Sequence, residues 1–118
     1  MSFVCETTDM KYGNKKVQID GHTFDSASEA RRWIDLGFMQ RAGQISELER
    51  QVTLQLLHGV RLHGEKRARP PVRLVVDFRY VEHGVTVWED TKGMETPASR
   101  MKRHMAKALL GIDVEITP

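Results

Sequence analysis

Apolar residues recur at Ala30, Trp33, Ile34, Gly37 and Phe38, the spacing of one face of a helix. Ser26 precedes this run and Glu29 follows three residues later, the arrangement of a capping box. Gly43 suits a C-terminal cap, so the pattern predicts a helix over 27–42. The period then falls to two. Val52, Leu54 and Leu56 alternate with Thr53 and Gln55, as in a half-buried strand. Residues 72–81 and 85–91 are rich in β-branched and aromatic side chains and read as two more strands. Between them lies Glu82-His83-Gly84, where a two-residue turn places Gly at a positive φ. Thr96 and Pro97 are a natural N-cap and first helical residue. Met101, Met105, Ala108 and Leu109 give the helix that follows an apolar face, Gly111 ends it, and 112–117 alternates again as a last strand. A short strand over 17–19 precedes a turn at Asp20-Gly21. Residues 58–71, with Gly59, Gly64, Pro70 and Pro71 among basic residues, read as a loop. Residues 1–16 are polar and without period, a basic N-terminal arm, which leaves 17–118 as one domain. The order helix, three strands, helix, strand predicts an α/β (α+β) fold, a mixed sheet flanked by helices.

The chain has 118 residues, enough to bury a core without disulfides or a structural metal. The single cysteine, Cys5, cannot form an internal bridge, and no Cys/His cluster has zinc spacing. No apolar run is long enough to span a bilayer, and residues 1–11 lack the features of a signal peptide. These readings predict a cytoplasmic protein with no membrane partner. Net charge is only +2, but the basic residues are grouped. One group is Arg61, His63, Lys66, Arg67, Arg69 and Arg73; another is Arg100, Lys102, Arg103, His104 and Lys107; a third is Lys11, Lys15 and Lys16. Such groups fit either a solvated surface or a polyanion, and three of them beside acidic strand residues point towards nucleic acid.

The turn at His83-Gly84 sets a register. Glu82 then pairs with Val85, Val81 with Thr86, Tyr80 with Val87, Arg79 with Trp88 and Phe78 with Glu89, and the next pair is Asp77 opposite Asp90. Directly opposed residues hold their Cβ atoms about 5 Å apart on one face. Two carboxylates there repel, and Asp is a poor strand former. A divalent cation turns that repulsion into ligation, and Mg²⁺ takes a few carboxylate oxygens while keeping several waters. Lys92 shares parity with Asp90 and so emerges on the same face, where it can assist a metal-bound water or a charged phosphate. The plainer alternative is a solvent-exposed Asp90–Lys92 pair. Glu89 has the opposite parity and would enter the site only through a bulge.

Val76-Asp77 followed by Asp90-Thr91-Lys92 resembles the PD-(D/E)XK nuclease signature, with Val76 where the motif has proline. Over residues 11–117 the chain resembles small phage and prophage proteins of the endonuclease-I-like, Holliday-junction-resolvase-like group. The likeness rests on Lys11-Tyr12-Gly13-Asn14-Lys15-Lys16, Phe24-Asp25-Ser26 leading to Glu29-Ala30, Leu48-Glu49-Arg50-Gln51, Asp77-Phe78-Arg79-Tyr80 and Glu89-Asp90-Thr91-Lys92-Gly93. The resemblance implies a restriction-endonuclease-like core and a Mg²⁺-dependent DNA endonuclease in which Mn²⁺ substitutes. Asp77 and Asp90 would bind metal with the Thr91 carbonyl, and Lys92 would be the catalytic lysine. Glu29 would be either an extra metal-site acid or the capping-box residue. Gln51 would contact DNA or a metal-bound water, or be a polar residue satisfied by backbone. A phage origin would place the protein in the host cytoplasm.

DNA phosphates are expected on Arg67 and Arg69, on Arg100, Lys102 and Arg103, and on Lys15 and Lys16. Contacts of this kind carry little sequence information, which points to cleavage directed by nicks or branches, or of low specificity. Cutting both strands would favour a homodimer, and the sequence leaves oligomeric state open. The rival expectation is a non-catalytic DNA-binding accessory module on the same fold; a nuclease acting on RNA is a third. The Met101 and Met105 stripe, Trp33 and Trp88 are expected to pack in the core.

Overall fold

The computed structural model describes residues 6–9, 15–92 and 94–117. Three short strands come first: β1 (Glu6–Asp9), β2 (Lys15–Ile19) and β3 (His22–Phe24), forming an antiparallel sheet in that order. Asp20 and Gly21 turn β2 into β3 with φ of 49° and 81°, the doubly positive pair of a type I′ hairpin turn. The basic arm expected over 1–16 is therefore partly strand: β1 pairs with β2, and Lys15 and Lys16 lie within β2. Local polarity hid this, because a short strand is defined by its partner more than by its own residues. The other residues of that stretch, 1–5 and 10–14, lie outside the described ones.

Helix α1 (Ala27–Arg41) starts where expected, with Ser26 Oγ accepting from the Glu29 amide at 3.1 Å. Then come β4 (Ser46–Leu57), β5 (Val72–Glu82) and β6 (Val85–Thr91), helix α2 (Pro97–Met105) continued by a π-helical turn (Ala106–Leu110), and β7 (Val114–Thr117). The second sheet has the order β4-β5-β6-β7, antiparallel except for the parallel β6–β7 pair. The fold is thus α/β with a mixed four-stranded sheet and an additional small sheet. Residues 58–71 are irregular apart from one bridge between Val60 and Arg69.

Three apolar clusters hold these layers. Val17, Ile19 and Phe24 of the small sheet bury Ala30, with Trp33 and Ile34 packed alongside. Leu36, Ile45, Phe78 and Tyr80 form a second cluster that also receives Trp33. Trp33 stacks on Phe78 with centroids 6.1 Å apart, so α1 is wedged between the two sheets. The third cluster joins Leu54, Leu56, Leu74, Val76 and Val114 to Ala106, with Trp88 and Met105 partly buried against it. The apolar face expected for the last helix is corrected here. Met101 and Leu109 are 61 % and 54 % exposed, and Ala106 is the buried contact. A π-helical turn carries one more residue than an α-helical turn, which rotates Leu109 away from the face that the regular spacing marks out; Met101, in the α-helical part before it, has no such account. Among the described residues no helix is long and apolar enough to cross a membrane.

Candidate metal and nucleic-acid site

The β5–β6 hairpin turns on His83 and Gly84, at φ 53° and 76°. Its register runs from Glu82↔Val85 through Phe78↔Glu89 as the turn dictates. The ladder stops there, so Asp77 and Asp90 are not a regular cross-strand pair. Their carboxylates take over the hydrogen bonding instead. Asp90 Oδ1 accepts from the Asp77 amide at 2.8 Å, and Asp77 Oδ2 accepts from the Thr91 amide at 2.9 Å. This exchange brings both acids to one point where the backbone ladder ends. Lys92 joins them, with Nζ 3.4 Å from Asp90 Oδ2. Its amide donates to the Thr117 carbonyl at 2.9 Å, so β7 anchors the end of β6.

Asp90 is 1 % exposed, and its Oδ2 accepts no hydrogen bond from the described residues. A buried anionic oxygen left without a donor is costly, and the Lys92 ammonium lies 3.4 Å from it. Burial pushes the Asp77 carboxyl up to about 6; Asp90 raises it further, while the Thr91 amide and Lys92 pull it down.

Glu29 reaches the same place from α1. Its amide fulfils the capping role, while its carboxylate, 4 % exposed, turns towards β4. Oε1 accepts from Gln51 Nε2 at 3.2 Å and lies 3.7 Å from Arg50 Nη2. Burial, then the nearby Asp77 and Asp25 charges, push the Glu29 carboxyl up to about 7, against the pull of Arg50. The Ser26 half of the capping box is present, while the Glu29 carboxylate is engaged by Gln51 and Arg50. Gln51 Nε2 also lies 3.4 Å from Asp77 Oδ1 and links the two acids. It is exposed rather than a buried polar residue satisfied by backbone.

Among the described residues, no three or more His, Cys, Asp or Glu side chains are already gathered as a metal-holding group. Glu29 meets Asp77 through Gln51 rather than through a shared centre. Asp77 and Asp90 are joined through backbone amides, and Glu29 is linked to Asp77 through the Gln51 amide. The chemistry of this set nonetheless fits a divalent cation. It has hard oxygen donors, a buried carboxylate oxygen that accepts no hydrogen bond from the described residues, and in Glu29 and Asp77 two carboxyls whose charged forms burial disfavours.

Glu89 lies on the other side of the strand alternation. It is 1 % exposed and accepts two hydrogen bonds from Arg32, at 2.7 and 2.9 Å, and one from the Tyr80 hydroxyl at 2.9 Å. This clamp ties α1 to β6 one helical turn beyond Glu29. Neither Arg32 nor Arg50 stands out in the sequence as a site-building residue. An arginine on a helix face reads as solvated until its partner 57 positions away is known.

The expected phosphate contacts are spread more widely. Arg67 is exposed, and Arg69 is exposed and paired with Glu65 at 2.9 Å. Arg100 and Arg103 both bind Glu95, and Arg103 feels the Asp90 charge. Arg100, Arg103, His104 and Lys107 line a recess of about 210 Å³ with Asp113. Lys102 and Lys16 are half-buried. The Lys15 side chain lies outside the described set.

A family model described as "Protein of unknown function (DUF1064)" matches residues 9–112. No curated protein and no solved structure matches the chain.

Proposed function

The chain belongs to the DUF1064 family, and we propose that it is a metal-dependent DNA endonuclease. The observation that carries this reading is the meeting of Asp77, Asp90 and Lys92 where the β5–β6 ladder ends, with a buried Asp90 oxygen that accepts no hydrogen bond from the described residues.

Asp77 and Asp90 would hold Mg²⁺ or Mn²⁺, with the Thr91 carbonyl alongside and Glu29 as the nearby acid. When bound, the ion would supply Lewis-acid polarisation of a phosphodiester and a more acidic water. The protein's own part is positional and electrostatic. The crossed amide–carboxylate bonds fix both acids on the backbone. Lys92, anchored through Thr117, places a cation where negative charge builds on a scissile phosphate. The Arg32–Glu89–Tyr80 clamp sets the height of α1, and so of Glu29, over the sheet. Arg103 and its neighbours on α2, with Arg67 and Arg69 on the 58–71 loop, would take the backbone phosphates on either side. Such contacts position DNA and do not read bases, in keeping with nicked or branched DNA as the substrate class.

Supercoiled plasmid incubated with Mg²⁺, Mn²⁺ or EDTA tests this. Nicking is expected with either metal and not with EDTA, and Asp77→Asn and Lys92→Ala should each fall by at least 100-fold (on the order of 3 kcal/mol). Activity that survives EDTA or Asp77→Asn removes the proposal. DNA binding without cleavage under every metal condition would select the accessory-module reading. Branched, linear and RNA substrates at matched salt then define the target.

A further inference from the structure

Gln51 is in left-handed backbone, at φ 55°, inside strand β4. The pairs on either side, Arg50↔Phe78 and Val52↔Val76, keep their register, so no residue is inserted at this point and Gln51 stands level with Asp77. Left-handed backbone within a strand is unfavourable for any residue with a Cβ, and glutamine has no special tolerance for it. Strain of this kind persists where the surroundings over-determine it, and it clusters at functional sites.

What the strain accompanies is visible in the side chain. Nε2 lies 3.2 Å from Glu29 Oε1 and 3.4 Å from Asp77 Oδ1. An amide nitrogen carries two hydrogens, so one Gln51 side chain can serve both carboxylates at once. No carboxylate, hydroxyl or apolar side chain at this position could do so. Glu29 comes from α1 and Asp77 from β5, and no direct hydrogen bond between them is possible when both are ionised.

We propose that Gln51 is a positioning residue that assembles the cation site, its amide holding Glu29 and Asp77 together across two elements so that a divalent ion finds them prearranged. This rests on the metal reading above. It goes beyond a DNA contact by assigning Gln51 to the carboxylates themselves. The left-handed backbone aims the side chain, and the amide sets the spacing.

Two substitutions separate these roles. Gln51→Ala removes the amide and keeps the unfavourable backbone. Gln51→Gly removes the amide and relaxes the backbone, since glycine is at ease at positive φ. Gln51→Gly should therefore melt about 3 °C above Gln51→Ala in EDTA. Mn²⁺ affinity, read by calorimetry on the intact chain, should fall about tenfold or more in both, the range for losing a residue that orients metal ligands. A merely structural role would make affinity follow melting temperature, with the glycine variant binding as wild type does. That result, or binding within twofold of wild type in both variants, overturns the proposal while leaving the metal site intact. Asp77→Asn supplies the control. If wild type binds no more Mn²⁺ than Asp77→Asn, the metal reading fails and takes this one with it.

Discussion

At the scale of single residues, the site holds two carboxyl groups whose burial disfavours their charged forms. Glu29 titrates at about 7 and Asp77 at about 6, against ordinary values of 4.5 and 3.8. Both shifts arise first from burial. A carboxyl whose folded value is raised binds its proton more tightly in the folded state. Its contribution to stability is fully present below the unfolded value and is lost as pH rises through the folded one. For Glu29 that window runs from about 4.5 to about 7. Glu29→Gln, which stays neutral, should therefore gain stability relative to wild type as pH goes from 5 to 8 without metal. Urea unfolding in EDTA at pH 5, 6, 7 and 8 measures the difference, and a gap that stays flat or shrinks with pH contradicts the assignment. Divalent cations compete with the same protons, so Mn²⁺ should stabilise the protein more at pH 8 than at pH 5. Part of this is legible in the sequence: turn length and strand parity bring Asp77 close to Asp90 and Lys92, although the two acids meet through carboxylate–amide bonds and not as a regular cross-strand pair. The raised Glu29 value is not legible there, because it depends on a helix packing against β4.

At the scale of elements, the Arg32–Glu89–Tyr80 clamp decides where α1 sits. Glu89 is buried almost completely, and its two Arg32 bonds are its ionic compensation. Arg32→Ala leaves a buried carboxylate supported only by the Tyr80 hydroxyl. Removing one partner of a buried pair is expected to destabilise by about 3 kcal/mol, measured as a lower urea midpoint with an unchanged slope. Glu89→Gln added to Arg32→Ala should restore much of that loss, since the neutral amide still accepts from Tyr80; no recovery in the double variant contradicts the clamp. Element boundaries were legible where capping residues stand in the sequence. Ser26 and Thr96 accept from the third amides of their helices as their types predict, and His83-Gly84 turns the hairpin as expected. The misreadings have a common cause. The strand character of residues 6–9 and the π-helical turn at 106–110 are both set by neighbours: the first by pairing with β2 and the second by the fit of Ala106 against Leu54, Leu74 and Val76.

At the scale of the whole molecule, charge is nearly balanced and its placement matters more than its sum. Several cations of the last helix are already engaged: Arg100 and Arg103 with Glu95, which is 12 % exposed, and Lys107 with Asp113 at 3.0 Å. Phosphate binding on this side therefore competes with internal pairs, whereas Arg67 on the 58–71 loop is exposed. Binding of a duplex should weaken as salt rises, with a log–log slope of about −0.9 per phosphate neutralised. Arg67→Ala together with Arg69→Ala should make that slope shallower by about one to two. Fluorescence anisotropy with labelled DNA between 50 and 250 mM salt, in Ca²⁺ or EDTA to prevent cleavage, reads both. A salt-independent affinity would rule out a phosphate-dominated interface.

Local order is where the amino-acid sequence was sufficient. Helix starts, hairpin register and the shared parity of Asp90 and Lys92 follow from side-chain types and from the periods of helix and strand, which act over a few residues. Folding alone decided that Asp77 and Asp90 would replace the backbone ladder with their own carboxylates. It also decided that Glu29 would be drawn in through Gln51, that Arg32 would clamp Glu89, and that the last helix would turn Met101 and Leu109 outward. Each of these depends on groups far apart in the chain being desolvated together. Burial and charge pairing are properties of the assembled interior, and no single segment carries them.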